Sequence, residues 1–383
     1  MSRIDIVMST IHIIGAGIGG LTLARCLKNK GIQAVIFEKD PSPARHNYGI
    51  SLLPRTCQAL LNVLKMEEST FCQRVAVDGV VGGEGRFYPE KTQASKSLES
   101  PFRAHRGRLE AVLGESLDIE WGHVLADVSR NGEEHVLNFK DKDEVQSNFL
   151  VDASGVHSSV RKSLLPGSEL NILSYVVFRG TRHIDGSAFK KVYEERFGGG
   201  NVLESQKGDI LLQISINDVR KPGEGVDISY IYSRPASQDD QLHRPDRAQQ
   251  QAANISELFF GEVSKLGELE QPFKDAFDVQ KMRGDRILHW LMREILLPLE
   301  ELKNLAEKGF LLIGDAAHAT PILGGEGANS AIADAVQLAE WMSSRGVEGL
   351  GGFYAKRYAE WQREVKESEE KLVAIHSVSK YSL

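Results

Sequence analysis

The opening of the chain alternates short apolar runs with a segment of helical spacing. The run Ile11–Ile14 suits a short buried parallel strand. The segment after it carries apolar residues at helical spacing and reaches a good C-terminal stop at Gly31. A second apolar run, 34–37, follows and ends at Glu38. This order predicts a strand, a helix and a second parallel strand.

Three glycines, Gly15, Gly17 and Gly20, lie between the first strand and the helix. In this G-x-G-x-x-G spacing the first permits a tight turn, and the second lets the backbone approach a pyrophosphate. The third lets helix and strand pack closely, and the helix N-terminus offers N–H groups to phosphates. Glu38, about 20 residues on, is placed to accept hydrogen bonds from a ribose hydroxyl. The stretch predicts a dinucleotide-binding site.

The pattern changes between residues 173 and 235, where β-rich runs alternate with Gly, Asp and Asn clusters. Such runs are typical of an antiparallel sheet, and we expect 191–197 to be one of its strands. We also expect extended, glycine-punctuated sheet over 75–85. The runs 119–125 and 135–139 predict strands of a small antiparallel unit.

The strand–glycine–helix pattern returns late in the chain. A buried strand over 309–313 is followed by Asp315 and by the glycine-rich stretch 324–327. Amphipathic spacing from Asn329 onward predicts a helix whose first N–H groups face an electron-rich ligand. Aromatic residues among charges after Phe353 predict a long C-terminal helix.

Composition narrows the function classes. The chain has 383 residues, enough for two domains, with ordinary apolar and charged fractions. Its net charge of −7 argues against a nucleic-acid surface. No run resembles a signal peptide or a membrane span. Cys26, Cys57 and Cys72 fit reduced thiols better than disulfides or a metal site, so we expect a cytoplasmic protein without a bound metal.

Three motifs stand in one order along the chain: GAGIGG from Gly15, DASGVHSSVR from Asp152 and GDAAHATP from Gly314. With them the sequence resembles the group A flavoprotein monooxygenases, whose fold is that of p-hydroxybenzoate hydroxylase. The GGEGAN variant is most similar to the tetracycline-inactivating and salicylate-hydroxylase-like branches. The resemblance implies noncovalent FAD reduced by NAD(P)H, with NADPH favoured. It further implies a flavin C4a-hydroperoxide that delivers one oxygen atom from O2 to an electron-rich, aromatic or polycyclic small molecule.

The resemblance also implies cofactor contacts. The first glycine turn would hold the pyrophosphate, Glu38 the adenosine ribose and Asp315 the ribityl hydroxyls. Arg106 matches a family arginine that contacts FAD; by position alone it fits either a surface charge or a partner for an anion. The full predicted set is Gly15, Ala16, Gly17, Ile18, Gly19, Gly20, Glu38, Lys39, Arg45, Arg106, Asp315, Pro321, Gly325, Gly327, Ala328 and Asn329.

The implied fold is α/β, with a Rossmann-like FAD-binding domain, an inserted antiparallel β-sheet substrate domain and a long C-terminal helix. We place the FAD-binding domain at 1–72, 101–170 and 285–348 and the substrate domain at 73–100 and 171–284, with the helix at 349–383. The substrate would lie between the flavin and the inserted sheet. Aromatic candidates for its cavity are Tyr175, Phe178, Tyr193, Tyr230 and Tyr232.

The middle motif departs from the family pattern, because Ser154 stands where relatives carry Asp and the carboxylate is two residues earlier, at Asp152. This weakens the assignment of NADPH contacts and leaves altered chemistry open. His318 in GDAAH is more often structural than catalytic in the family. Asp334 is expected to be a helix-face residue.

Other charged residues have structural interpretations. Ser158 is placed to cap a helical turn that carries Arg161. Arg179 and Arg182 fit exposed strand charges better than carboxylate ligands.

Alternative functions stay open. A related flavoprotein could perform reduction or oxidative cyclisation without oxygen insertion. Flavin halogenases share the FAD motifs, but the chain lacks their W-x-W-x-I-P segment. A degenerate binding module fits poorly with two intact glycine loops. No second dinucleotide fingerprint occurs, so NAD(P)H would bind transiently, and we expect a monomer or a weak homodimer.

Overall fold

The computed structural model describes residues 10–43, 47–87, 100–131, 134–221, 223–324, 326–346 and 349–377. Its strands are β1 (Ile11–Ile14), β2 (Ala34–Glu38), β3 (Gly49–Leu52), β4 (Phe102–His105), β5 (Ile119–Trp121), β6 (Leu125–Asn131), β7 (Glu134–Phe139), β8 (Val145–Ser147), β9 (Leu150–Asp152), β10 (Asn171–Ile172), β11 (Tyr175–Ile184), β12 (Val202–Lys207), β13 (Ile210–Val219), β14 (Val226–Pro235), β15 (Arg286–Trp290), β16 (Arg293–Leu296), β17 (Phe310–Leu312) and β18 (His318–Ala319). Its helices are α1 (Ile18–Asn29), α2 (Pro54–Leu64), α3 (Glu68–Val75), α4 (Arg106–Gly114), α5 (Ser159–Leu164), α6 (Gly186–Val192), α7 (Glu194–Phe197), α8 (Glu257–Val263), α9 (Phe273–Ala276), α10 (Val279–Met282), α11 (Leu299–Glu307), α12 (Gly327–Arg345) and α13 (Gly351–His376).

A five-stranded parallel sheet forms the base of the fold, in the order β17-β9-β1-β2-β5. The predicted β1–α1–β2 unit is confirmed, and helices α1, α4 and α12 pack around it. Because all five strands run parallel, their carboxyl ends meet at one edge, where ligands bind in open α/β sheets. The prediction for 119–125 was wrong, because β5 joins this sheet beside β2. Only β6, β7 and β8 form the small antiparallel unit.

The inserted unit is the predicted antiparallel sheet, in the order β12-β13-β14-β11-β15. One face carries a separate hydrophobic core with α8, α9 and α10. The expectation of a strand at 191–197 was wrong, because this segment forms the end of α6 and all of α7. Tyr193 and Phe197 are buried from these helices in the same core, so aromatic burial and not strand pairing explains the apolar pattern.

The segment 75–85 is not sheet. Helix α3 ends at Val75, a 3₁₀ turn spans Gly79–Val81, and only isolated bridges join Ala76 and Arg86 to β4. A Cβ at Gly79 would lie 2.6 Å from the carbonyl oxygen of Cys72, so a glycine at this position lets the chain pack closely on α3. Val75 and Val77 are buried beside the helix, whereas Val80 and Val81 in the 3₁₀ turn are exposed.

The long C-terminal helix is confirmed as α13, which packs on α11 and α12. Trp361 is fully buried, and the hydroxyl of Tyr354 donates to the carbonyl of Leu312 while accepting from its N–H. Across the ranges that the structure covers, every helix is too short or too polar to cross a membrane. The predicted domain boundaries stay a prediction.

Candidate functional site

The glycine turn after β1 has the geometry that its sequence requires. Gly15 has φ +105°, and a Cβ there would lie 2.8 Å from the carbonyl oxygen of Ala153. A Cβ on Gly20 would lie 2.0 Å from the carbonyl oxygen of Gly15, so only glycine lets α1 approach β1 this closely. A Cβ on Gly17 would meet nothing within 4 Å, because this position faces open space. Gly15 therefore permits the turn, Gly17 leaves room for a ligand to approach the backbone, and Gly20 permits close packing of α1 on β1.

Glu38 lies directly above this turn, at the end of β2. Its carboxylate accepts hydrogen bonds from the backbone N–H of Ala16, at 2.7 Å, and of Asp40, at 3.0 Å. An acid at the end of the second strand is therefore held beside the first turn of α1. This is where the ribose next to a helix-bound pyrophosphate would lie.

A cleft of about 720 Å³ opens at the carboxyl edge of the parallel sheet. This volume falls in the range of small-molecule and cofactor sites. The predicted residues that line it are Gly15, Ala16, Gly17, Ile18, Gly19, Glu38, Lys39, Arg106, Asp315, Gly327 and Ala328. Gly20, Pro321 and Asn329 lie outside this lining, and Arg45 and Gly325 lie outside the described residues.

Arg106 is the first residue of α4 and reaches the cleft. Its Nε donates to Glu110 at 2.8 Å, and its guanidinium also bonds the hydroxyl of Tyr48. Burial opposes the charged form, but Tyr48 and Glu110 outweigh it and raise the pKa of Arg106. The residue is thus a fixed cation at the cleft wall.

Asp315 lies in the 3₁₀ turn Gly314–Ala316, half-buried at the other side of the cleft. Burial raises the pKa of Asp315, and the nearby charges of His318 and Arg106 only partly oppose this rise. Across the part of the chain that the structure covers, its carboxylate forms no hydrogen bond. Buried polar groups in proteins are normally hydrogen-bonded, so the carboxylate has capacity for ligand hydroxyls. A Cβ on Gly327 would lie 3.3 Å from the Oδ1 of Asp315, so the glycine lets the start of α12 lie close to this carboxylate.

The middle motif turns its carboxylate inward. Asp152 is fully buried at the end of β9 and accepts hydrogen bonds from Ser154 and Ser158. Ser158 caps α5 as expected, since its hydroxyl accepts from the N–H of Arg161 at 2.8 Å. Ser154, not a carboxylate, lines the cleft here.

Asn329 has a structural contact in the first turn of α12. Its side chain donates to the carbonyl of Ser51 at 3.1 Å and accepts from the N–H of Leu53 at 2.8 Å. It therefore fastens strand β3 to the start of the glycine-rich helix. Whether it also contacts the cofactor stays a prediction.

Asp334 lies on helix α12, as expected of a helix-face residue, but on the buried side of that helix. This carboxylate is fully buried between α12 and α13 and accepts four hydrogen bonds. The donors are the N–H of Gly314 at 2.9 Å, His318 at 2.6 Å, Arg357 at 2.7 Å and Trp361 at 2.9 Å. His318 also stacks on Trp361, with ring centroids 4.1 Å apart. His318 is thus held in a structural cluster, as the family pattern favours, directly behind the turn that carries Asp315.

Two further expectations need correction. Arg182 is not an exposed strand charge, because Asp285 binds its guanidinium at 2.6 Å among buried side chains. Phe178, Tyr230 and Tyr232 do not face a substrate cavity, since they are packed in the core that the sheet forms with α8, α9 and α10. Alternation along a strand places only Tyr175 of this group on the other face, beside Trp290.

Several cleft residues gave no signal in the sequence. Trp121, His123 and His157 line the cleft from the ends of β5 and β9, and only the strand order brings them there. Within the described ranges no group of His, Cys, Asp or Glu is arranged to hold a metal ion. All three cysteines are buried and free, and burial raises the pKa of Cys26 and of Cys57 to about 12.

Comparison with known proteins agrees with this geometry. The family described as FAD binding domain matches residues 8–176 and 301–346. An FAD-dependent monooxygenase, nscC of Arthroderma otae, is 29% identical over 96% of this chain and 95% of its own. HpxO of Klebsiella pneumoniae, solved with FAD and uric acid, superposes with a TM-score of 0.69 at 17% identity, covering 97% of this chain and 90% of HpxO. The tetracycline destructase Tet(55) gives a TM-score of 0.67 at 15% identity over 97% and 90% of the two chains.

The cleft fits FAD in its own residues: an open glycine turn, an acid over the first turn of α1, and a half-buried carboxylate opposite. FAD is therefore the cofactor that this site takes. The chain belongs to the FAD-binding-domain family and, within it, to the group A flavoprotein monooxygenases.

Proposed function

We propose that the protein uses NAD(P)H and O2 to hydroxylate or epoxidise an electron-rich aromatic or polycyclic small molecule. The observation that carries the proposal is the meeting of the glycine turn, Glu38, Arg106 and Asp315 in one cleft. When bound, FAD supplies the chemistry, taking two electrons from NAD(P)H and activating O2 for transfer of one oxygen atom.

The residues of the chain bind and orient. The turn at Gly15 and the N-terminus of α1 would hold the pyrophosphate. Glu38 would accept hydrogen bonds from the ribose hydroxyls. The carboxylate of Asp315, which has no hydrogen-bond partner among the described residues, would accept hydrogen bonds from the ribityl hydroxyls. The first N–H groups of α12, at Gly327 and Ala328, favour negative charge on the electron-rich edge of the flavin.

The substrate would lie against the sheet face that is opposite to the aromatic core. On this face Tyr175, Trp290 and Leu323 pack around Met292 and Leu372. Leu323 belongs to the loop before α12, so this face looks toward the glycine-rich loop. An apolar wall with aromatic rings supports a flat, conjugated substrate.

A second candidate is an FAD-dependent oxidoreductase of the same fold that performs reduction or oxidative cyclisation without oxygen insertion. Ser154 favours it, because the family resemblance implies an Asp at this position that helps with FAD and NAD(P)H. In this chain the carboxylate is buried at Asp152 and cannot make the same contacts.

Consumption of NADPH, measured with and without a panel of polycyclic phenols and alongside peroxide release, tests the proposal. A monooxygenase gives substrate-stimulated consumption with little peroxide. A product formed without an oxygen atom from O2, while the flavin turns over, would support the second candidate.

A further inference from the structure

The cofactor cleft continues past Glu38 to strand β5. Glu38, at the end of β2, is placed for the ribose of the adenosine half, and the glycine turn lies on one side of it. On the other side of β2 lies β5, the edge strand of the parallel sheet. The cleft is lined there by Trp121, His123, Val124 and Leu125. Because the glycine turn is the phosphate side, a base attached to this ribose faces β5.

Trp121 is the last residue of β5 and the register partner of Glu38. Register partners on adjacent parallel strands lie on the same face of the sheet, so the indole and the carboxylate stand side by side. Trp121 is half-buried, and its indole contacts no other aromatic ring among the described residues. The indole is therefore a flat surface next to the ribose position, and stacking of a base on an aromatic side chain is favourable.

His123 is held in place in the turn that follows β5. Its backbone N–H donates to the carbonyl oxygen of Glu38 at 2.8 Å. The centre of its ring lies 5.2 Å from that of Phe37 and 5.1 Å from that of Phe139, edge-on to the latter. One backbone hydrogen bond and two ring contacts therefore fix the imidazole beside the end of β2.

The tautomer of His123 follows from a further contact. Nδ1 lies 3.2 Å from the carbonyl oxygen of Trp121, and a carbonyl oxygen can only accept a hydrogen bond. Nδ1 therefore carries the hydrogen, and Nε2 of the neutral ring is an acceptor. Within the part of the chain that the structure describes, Nε2 forms no hydrogen bond. The cleft thus contains a fixed acceptor close to the indole of Trp121.

The group at position 6 of a purine decides whether such an acceptor stabilises it. Adenine carries a 6-amino group, which donates hydrogen bonds, whereas guanine carries a 6-carbonyl oxygen, which only accepts. Hypoxanthine also has a carbonyl at this position. An imidazole acceptor therefore pairs with adenine and is opposed by the carbonyl of the other two bases.

We propose that Trp121 and His123 recognise the adenine base of FAD. The indole stacks on the base, and Nε2 of His123 accepts a hydrogen bond from the 6-amino group. The two residues thereby determine specificity for an adenine-bearing cofactor. This inference depends on FAD as the cofactor of the cleft and not on the reaction, so its failure would leave the proposed function standing. NADPH also carries adenine, and the experiment separates the two cofactors.

The test displaces FAD from the holoenzyme, diluted to near the dissociation constant of FAD, with ADP or with its hypoxanthine counterpart IDP. A rise in flavin fluorescence measures the released FAD, and competition gives the dissociation constant of each nucleotide. We expect ADP to bind at least about fivefold more tightly than IDP, as one hydrogen bond allows. Inorganic pyrophosphate, which has no base, is the control ligand.

Two pairs of contacts are tested by substitution. His123→Phe keeps a ring against Phe37 and Phe139 but removes the acceptor, so ADP and IDP should bind within about twofold of each other. Trp121→Ala should weaken both nucleotides by about tenfold, and Trp121→Phe should recover most of this loss. Once each constant is corrected for the FAD affinity of the variant, pyrophosphate binding should stay within about twofold of the wild type.

Equal binding of ADP and IDP to the wild type, or a preference that survives His123→Phe, would overturn the proposal. So would nucleotide binding that Trp121→Ala leaves unchanged, or pyrophosphate binding that it weakens as much as ADP binding. A raised KM for NADPH with unchanged constants for ADP and IDP would assign the two residues to the nicotinamide cofactor instead. If His123→Phe fails to retain FAD, the wild-type preference and the Trp121 variants decide the question.

Discussion

The carboxylate of Asp152 accepts hydrogen bonds from both the backbone N–H and the hydroxyl of Ser154, at 3.0 and 2.5 Å. Its second oxygen accepts from Ser158, so a fully buried acid is enclosed by serine donors. Burial raises the pKa of Asp152 despite these bonds. Asp152 and Ser154 thus form one hydrogen-bonded unit.

Restoring the acid at position 154 should therefore be unfavourable in this chain. Ser154→Asp removes a donor to Asp152 and places a second carboxylate beside it, which we expect to lower the free energy of unfolding by about 1–3 kcal/mol. Urea denaturation of the FAD-loaded protein measures the loss. Ser154→Ala, which removes only the hydroxyl, should cost about 1 kcal/mol.

The double variant Asp152→Asn with Ser154→Asp removes the like charge and should recover part of the stability. A Ser154→Asp protein as stable as the wild type would show that the two positions are independent.

Asp315 should contribute mainly to cofactor affinity. Asp315→Ala removes an acceptor of charge-assisted hydrogen bonds worth about 1.5–3 kcal/mol each, so FAD should bind at least about tenfold more weakly. The chain should stay folded, because this carboxylate has no hydrogen-bond partner among the described residues. Fluorescence titration of the apoprotein with FAD gives the affinity, and far-UV circular dichroism checks the fold.

Asp315→Asn keeps one acceptor and should fall between the wild type and Asp315→Ala. The exposed Asp143→Ala is the control for loss of one negative charge and should bind FAD normally. Equal FAD affinity in the wild type and Asp315→Ala would remove Asp315 from the site.

Asp334 should support the fold in a pH-dependent manner. Burial alone would raise the pKa of Asp334, but His318 and Arg357 outweigh it and hold this pKa well below its usual range. A depressed folded-state pKa contributes stability above the unfolded value of about 3.9 and loses it as the pH falls below that value. Asp334→Asn leaves Arg357 without its main buried partner and should cost about 3–5 kcal/mol at pH 7.

Urea denaturation at pH 7, 5 and 3 compares this variant with the exposed control Asp143→Asn. The gap between wild type and Asp334→Asn should be similar at pH 7 and 5 and smaller at pH 3. A gap that grows toward acid would contradict the assigned sign.

The sequence predicted that the glycine turn and Glu38 lie together, because the signals for this part of the candidate site are local. The glycine turn, β2 and Glu38 lie within one short stretch, and spacing alone relates their positions. The parallel strands then bring Asp315 to the same edge. The predicted α/β architecture with an inserted antiparallel sheet is also confirmed, because the apolar pattern of each segment is a local signal.

Long-range partners could not be read from the sequence. Arg182 meets Asp285 across 103 positions, and Asp334 meets Arg357 across 23. The residue types of a buried ion pair are the same as those of an exposed one, so Arg182 was expected to be an exposed strand charge and Asp334 only a helix-face residue. The face of β11 that packs on α8 was equally hidden, which is why Phe178 was expected to line the cavity.

Substrate should accelerate reduction of the flavin. The sequence carries one dinucleotide fingerprint, which we assign to FAD, so under the proposed function NAD(P)H would have no second site of this kind and would meet the flavin transiently. We expect substrate to shift the flavin between two positions and raise the anaerobic reduction rate by about tenfold or more. Stopped-flow absorbance with and without an effective phenol measures it. Identical reduction rates with and without substrate, or a nicotinamide that stays bound through oxygen transfer, would contradict this prediction.

Isotope labelling tests the central claim, oxygen transfer at the FAD cleft, most directly. The FAD-loaded enzyme is supplied with NADPH and ¹⁸O2, and the products from a panel of polycyclic phenols are analysed by mass spectrometry. We expect a product with one ¹⁸O atom derived from O2, and we expect Asp315→Ala to lose this product unless FAD is added in excess. A product oxidised or cyclised without ¹⁸O, while NADPH or the flavin turns over, would contradict it.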